Sequence, residues 1–148
     1  MQTESRRRIV PWLILALVAV AAAMPFFFVR PAPDIIAWRS DLDAARDAAR
    51  DAGKPILLDF TADWCSYCQT MKQTVFSRDD VKQAIETRFV PVKLDYTHRN
   101  VATDPIARSH NIRGLPTVLA LNSDGEEVGR LEGFADHERF MQWLASVE

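Results

Sequence analysis

The chain holds two cysteines, Cys65 and Cys68, and both lie in the stretch "TADWCSYCQTM", residues 61–71. A pair two residues apart can be a redox dithiol, half of a metal site or a small structural staple. As a dithiol it needs one sulfur in the thiolate form, and a free cysteine near pKa 8.5 is mostly protonated at neutral pH. A helix start lowers that value, because unpaired N–H groups and aligned peptide dipoles favour negative charge there. "LLDF" before the motif reads as a strand and "CQTMKQTVF" has helical spacing. Cys65 therefore falls at a strand-to-helix junction and is expected to be the exposed nucleophile. Cys68 follows on the same face one turn along, within reach of a mixed disulfide at Cys65.

A structural zinc ion wants four ligands. Cys65 and Cys68 supply two, and His98, His110 and His137 are not paired at metal-ligand spacing; the residues imply neither metal nor cofactor. A CxxC bridge closes so small a loop that it restrains the unfolded chain little, which argues against a mere staple.

The elements that must position the pair follow from periodicity. "AWRSDLDAARDAARDAG" predicts a helix with Trp38, Leu42, Ala45 and Ala49 on one face and Gly53 as its stop. "PILLDF" predicts a buried strand. "SRDDVKQAIETRF" predicts a helix capped by Ser77, with Asp80 three residues on. "VPVKLDY" predicts a second strand, "TDPIARSHNI" a short helix and "PTVLALN" a third strand. A turn at Asn122 to Gly125 leads into "EEVGRLEG", a fourth strand, and Phe140, Trp143, Leu144 and Val147 mark the inner face of a closing helix. Alternation first and a hairpin last implies an α/β fold with a mixed central sheet flanked by helices.

At 148 residues there is room for one domain, and 48% hydrophobic with 26% charged residues is a globular composition. A net charge of −2 gives no reason to expect a nucleic-acid partner. Residues 9–29, "IVPWLILALVAVAAAMPFFFV", carry no charge. As a helix they span roughly 30 Å, the hydrocarbon thickness of a bilayer. Arg6, Arg7 and Arg8 precede the segment and Arg30 alone follows, which keeps residues 1–8 cytoplasmic and sends the rest across. The competing reading is a cleaved signal peptide cut near Ala21, Ala22 and Ala23, but bulky "MPFFFV" follows, which favours an uncleaved anchor. Residues 30–36, beginning "RPAPD", read as an extended spacer, and 37–148 as the domain. After residue 29, 15 basic residues face 19 acidic ones, a soluble and mildly acidic surface. The expected location is the inner membrane, single-pass, with a monomeric domain on the periplasmic or extracytoplasmic side.

"LLDFTADWCSYC", with "GLPT" beginning 46 residues after Cys68, resembles the thioredoxin superfamily. "ADWCSYC", "TVFSRDDV" and "RGLPTVLALNSDGEEVGRLEGF" are similar, more narrowly, to the C-terminal periplasmic thioredoxin domain of DsbD-type thiol:disulfide interchange proteins. The resemblance implies a thioredoxin fold in which Cys65 attacks and Cys68 resolves, a redox-active disulfide between them, and a cis peptide at Pro116. It further implies that the backbone of Leu115 pairs with client segments and that Asp59 is a buried acid behind Cys68. Such an acid exchanges the proton that Cys68 must gain or lose. Trp64 is implied in the docking surface, ordinary core packing being its other reading, and Tyr67 could line the same surface; Trp38 and Trp143 read as core. Two positions depart from the pattern. Gln69 stands where many relatives have lysine, and Lys72 stands where the DsbD domain has an acid.

The function implied is a membrane-anchored, extracytoplasmic protein-disulfide oxidoreductase. Its partners are protein thiol or disulfide clients and a membrane or periplasmic electron donor. Ser66 and Tyr67 bring no positive charge between the cysteines, so the expected direction is that of a reductase or electron relay. Two alternatives share the fold: a maturation factor for cytochrome c or a copper site, and an interaction module whose CxxC does not turn over.

Overall fold

The computed structural model describes residues 12–18 and 33–147. Residues 12–18 are helical and exposed; the rest of the 9–29 segment and residues 1–8 lie outside the described residues. Among the described residues no helix is long and apolar enough to cross a membrane.

Residues 33–147 form α1 (Leu42–Ala52), β1 (Ile56–Thr61), α2 (Ser66–Thr74), α3 (Asp79–Arg88), β2 (Val90–Asp95), α4 (Pro105–Ser109), β3 (Thr117–Leu121), β4 (Glu127–Glu132) and α5 (His137–Ser146). The sheet order is β2-β1-β3-β4. β1 pairs parallel with β2 and antiparallel with β3, and β3 pairs antiparallel with β4. This is the mixed sheet that the element order predicts.

Because side chains alternate along a strand, β1 feeds two cores. Ile56, Leu58 and Phe60 pack with Leu42, Ala45 and Ala49 of α1 and with Val92, Leu94 and Tyr96. Leu57 packs on the other side with Met71, Val81 and Ile85, and with Phe140 and Leu144 of α5. Asp59 belongs by alternation to the side of Leu57, where β1 faces α2. Cys65 and Cys68 pack with the first core, and Cys68 also borders the cavity that Asp59 lines.

Helix boundaries follow their caps. α1 starts at Leu42 because the Asp41 carboxylate accepts from the N–H groups of Asp43 and Ala44, so Trp38 stands outside the helix predicted to contain it. Gly53 ends the helix at φ 61°, as expected. α3 differs from expectation. Arg78 is its N-cap, without a side-chain bond, and the Ser77 hydroxyl donates back to the Gln73 carbonyl at 2.6 Å.

The end of the expected spacer is docked on the domain. Ile36 is buried, the Ala37 N–H donates to Glu86 Oε1 at 2.8 Å, and Arg39 bonds the edge of β2 through Pro91 and Lys93. Arg39, predicted to lie in the first helix, thus adds backbone to an otherwise open sheet edge.

Candidate active site: a disulfide at a helix start with a buried acid behind it

β1 ends at Thr61 and three residues turn the chain into α2, whose N-cap is Cys65 at φ −85° and ψ 103°. The Cys65 Sγ accepts a hydrogen bond from the Cys68 N–H at 3.2 Å. An orphan amide at a helix start therefore points at this sulfur, the arrangement that favours a thiolate once the pair is reduced. Gln69 donates from Nε2 to the Ala62 carbonyl at 3.3 Å and braces the turn.

Cys65 and Cys68 form a disulfide, S–S 2.12 Å and Cα–Cα 5.2 Å. In this oxidised state Cys65 is 7% exposed and Cys68 4%. The expectation of an exposed Cys65 is not met here, because its sulfur is turned inward onto Cys68. The large exposed groups are instead its neighbours, Trp64 at 64% and Tyr67 at 62%. Trp64 is therefore not a core residue. It borders an open groove of about 790 Å³ with His98, Arg99, Val101, Ile112 and Arg113. Tyr67 sits on the other flank, its ring 6.0 Å from that of Phe134.

The Leu115–Pro116 peptide is cis, as the resemblance implies. Leu115 is half-buried against the core cluster that contains both cysteines. Its backbone stands ahead of the β3–β4 ladder, which starts at Thr117. The Pro116 carbonyl accepts from Gly133 at 2.9 Å, fixing the loop.

Pro116 and Cys68 share a cavity of about 110 Å³ with Asp59, Lys72, Lys93 and Asp34. Asp59 is 2% exposed, and among the described residues no side chain donates to it. Burial pushes its carboxyl up to about 7, with Lys93 pulling down and Asp34 pushing up. The parallel register places Lys93 beside Asp59. Lys93 Nζ nonetheless bonds Asp34 Oδ1 at 2.6 Å, and Lys72 Nζ lies 3.6 Å from Asp34 Oδ2. Partial burial pushes the Asp34 carboxyl up, but Lys93 and then Lys72 outweigh it and hold it below the usual aspartate value.

The structure thus brings Cys65, Cys68, Asp59 and Pro116 together, with Trp64, Tyr67 and Leu115 around them. Reading the sequence alone missed Lys93 and Asp34. The first was within reach, since pairing "LLDF" with "VKLD" in parallel sets Asp59 against Lys93; nothing local marks Asp34. Trp38 and Trp143 are half-buried against the second core cluster, Trp38 with a buried Nε1 that has no acceptor.

The sequence matches the thioredoxin-like domain family over residues 42–148. It is 35% identical over 101 residues to the thiol:disulfide interchange protein DsbD of Yersinia pestis (strain Pestoides F), covering 67% of this chain and 17% of that protein. It is 32% identical over 143 residues to DsbD 2 of Pseudomonas aeruginosa, covering 93% of this chain and 24% of that one. The chain thus spans under a quarter of the length of these relatives. Among solved structures, a thioredoxin from Thermus thermophilus superposes with a TM-score of 0.65 at 29% identity, covering 76% of this chain and 86% of the other. The reduced C-terminal domain of Neisseria meningitidis DsbD gives 0.63 at 28% identity, covering 72% and 94%.

Proposed function

The chain belongs to the thioredoxin-like domain family, and on that premise we propose that it is a membrane-tethered, extracytoplasmic protein-disulfide oxidoreductase that works as a reductase or electron relay. Fold, dithiol and relatives support the class of protein-disulfide oxidoreductase. The observation that carries the reading is the disulfide at the N-cap of α2 with Asp59 in the cavity behind it. The finer role rests on the uncharged Ser66 and Tyr67, which stabilise the Cys65 thiolate less than a cationic residue there would. The tether rests on the uncharged 9–29 segment and its arginine flank.

In the reduced chain the Cys65 thiolate attacks one sulfur of a client disulfide. That S–S bond breaks, the released client sulfur leaves as thiolate and takes a proton from water, and a mixed disulfide joins client to Cys65. Cys68 then gives its proton to the Asp59 carboxylate and attacks Cys65 Sγ. The client's second sulfur departs, two electrons have passed to the client, and the chain holds the Cys65–Cys68 disulfide. A dithiol donor reverses the steps, with Asp59 returning the proton to Cys68. A carboxyl that titrates at about 7 is suited to both directions at neutral pH. Clients dock through Trp64, Tyr67 and the backbone of Leu115, beside Pro116.

The test is a Cys68→Ala substitution in the full chain. Mixed disulfides through Cys65 should accumulate and yield their partners to mass spectrometry; a chain that traps nothing is an interaction module. Equilibration with glutathione should give a potential nearer that of thioredoxin, about −270 mV, than the −120 mV or so of DsbA, and a value at the oxidising end overturns the reductase role.

A further inference from the structure

The residue missed in the spacer is placed to act on the redox site. Asp34 precedes the domain's first element, yet its carboxylate lies at the rim of the cavity that holds Asp59 and Cys68. It is fixed there from both sides. The segment behind it is pinned by the Ala37 bond to Glu86 and by the pairing of Arg39 with β2. The carboxylate itself takes the ammonium of Lys93 at 2.6 Å, with Lys72 at 3.6 Å. Lys93 is the strand neighbour of Asp59, and its ammonium also lies 4.9 Å from the centre of the Trp38 ring. Without Asp34, the carboxylate nearest by register to this cation is Asp59.

We propose that Asp34 is a positioning residue of the redox site: by holding the ammonium of Lys93 at the cavity rim it keeps that charge from Asp59, leaving Asp59 able to carry the proton that Cys68 gains or gives up. This rests on the proton-carrier reading of Asp59 given above. The charges facing Asp59 are accounted for by element. β2 supplies Lys93 and Asp95, α2 supplies Lys72, the turn after β1 supplies Asp63 and the incoming segment supplies Asp34, while Gln69, Thr61 and Pro116 are neutral. Lys93 and Asp34 are the two whose charges act on the Asp59 carboxyl, in opposite senses. A lysine within ionic contact of an aspartate lowers its titration by about one to three pH units, so releasing Lys93 toward Asp59 is a large perturbation.

The experiment follows the Asp59 carboxyl carbon by ¹³C NMR through a pH titration of the oxidised full chain and its Asp34→Asn variant. The Asp59 midpoint should fall by about one pH unit or more in D34N and return in Asp34→Glu. In a Lys93→Met background, D34N should produce a much smaller fall. Reduction of the disulfide by dithiothreitol, measured against pH, should show the same acid displacement and slow about threefold to tenfold at pH 7. An Asp59 midpoint in D34N within about 0.2 unit of the parent overturns the proposal, whatever happens to turnover. A different result, Asp59→Asn leaving the pH profile of reduction unchanged, sinks the proton-carrier reading, and with it the consequence for Cys68. The two failures are distinct, because the carboxyl midpoint reports on Asp34 even in a chain that does not turn over.

Discussion

Asp59 occupies a place that the alternation of β1 would give to an apolar side chain, next to Leu57 and under α2. Burial keeps its proton on until about pH 7 in the folded chain, whereas an unfolded aspartate loses it near 3.8. Below pH 4 both states hold the proton and stability is unaffected. Between about 4 and 7 the unfolded state binds fewer protons, so stability falls as pH rises, and above 7 the loss is complete. The gap between the two values corresponds to roughly 4 kcal/mol. In the oxidised chain Asp59→Asn should therefore flatten the fall in denaturant-unfolding stability between pH 4 and 7. An unchanged slope would mean that Asp59 is not held protonated. The same substitution should slow reduction of the disulfide at pH 7 by about a hundredfold, the lower end of the usual scale for losing a positioned proton carrier.

At the scale of elements, two tertiary contacts outside the site hold α5 against β4 and α3. β4 passes under the end of α5 at Gly129, where a Cβ would lie 2.8 Å from Val147 Cγ2 and 3.5 Å from Ala120 Cβ. Gly129→Ala should destabilise by about 1–3 kcal/mol, the cost of overpacking a closed contact, with CxxC chemistry retained in the fraction that stays folded. Adding Val147→Ala should recover part of that loss, since it removes the atom in the way. A double-mutant cycle in urea measures the coupling, and additive effects would count against the contact. α3 and α5 are joined by Arg88, whose guanidinium donates to the carbonyls of Leu144 and Val147. These carbonyls lie at the C-terminal end of α5, where helix carbonyls lack partners, so the arginine acts as a tertiary cap.

For the whole molecule, the asymmetry of arginines around residues 9–29 and the dithiol at 65–68 make one joint prediction. In intact cells a membrane-impermeant maleimide should label Cys65 and Cys68 after mild reduction, without permeabilisation. Labelling that needs a broken membrane would put the domain on the cytoplasmic side and end the extracytoplasmic reading. Replacing Arg6, Arg7 and Arg8 with glutamate should reduce that labelling, because the orientation rests on them.

How far the molecule was legible depends on the range of the forces concerned. Every strand and helix between residues 42 and 147 was readable from hydrophobic period, and Gly53 and the turn at Asn122 to Gly125 from local backbone preference. The CxxC at a strand-to-helix junction is likewise local, and it set the chemistry from the sequence alone. Family resemblance then pointed to Asp59 and Pro116, which periodicity would have left as a strand-end polar residue and a loop proline. The start of α1 was misjudged because the helical spacing of Trp38 with Leu42 runs back past the Asp41 cap, and the cap of α3 because the Ser77 hydroxyl turns back to Gln73 and leaves Arg78 at the N-cap without a side-chain bond. The partners of Asp59 were beyond local reading. Lys93 lies 34 residues after it in the chain and Asp34 25 residues before it, in a stretch whose prolines suggest a spacer. Sequence by itself determined the reactive pair and the elements that present it, because both follow from neighbours along the chain. Tertiary structure alone decided which lysine meets which carboxylate, because burial and the pairing of distant strands set the charge around a buried acid.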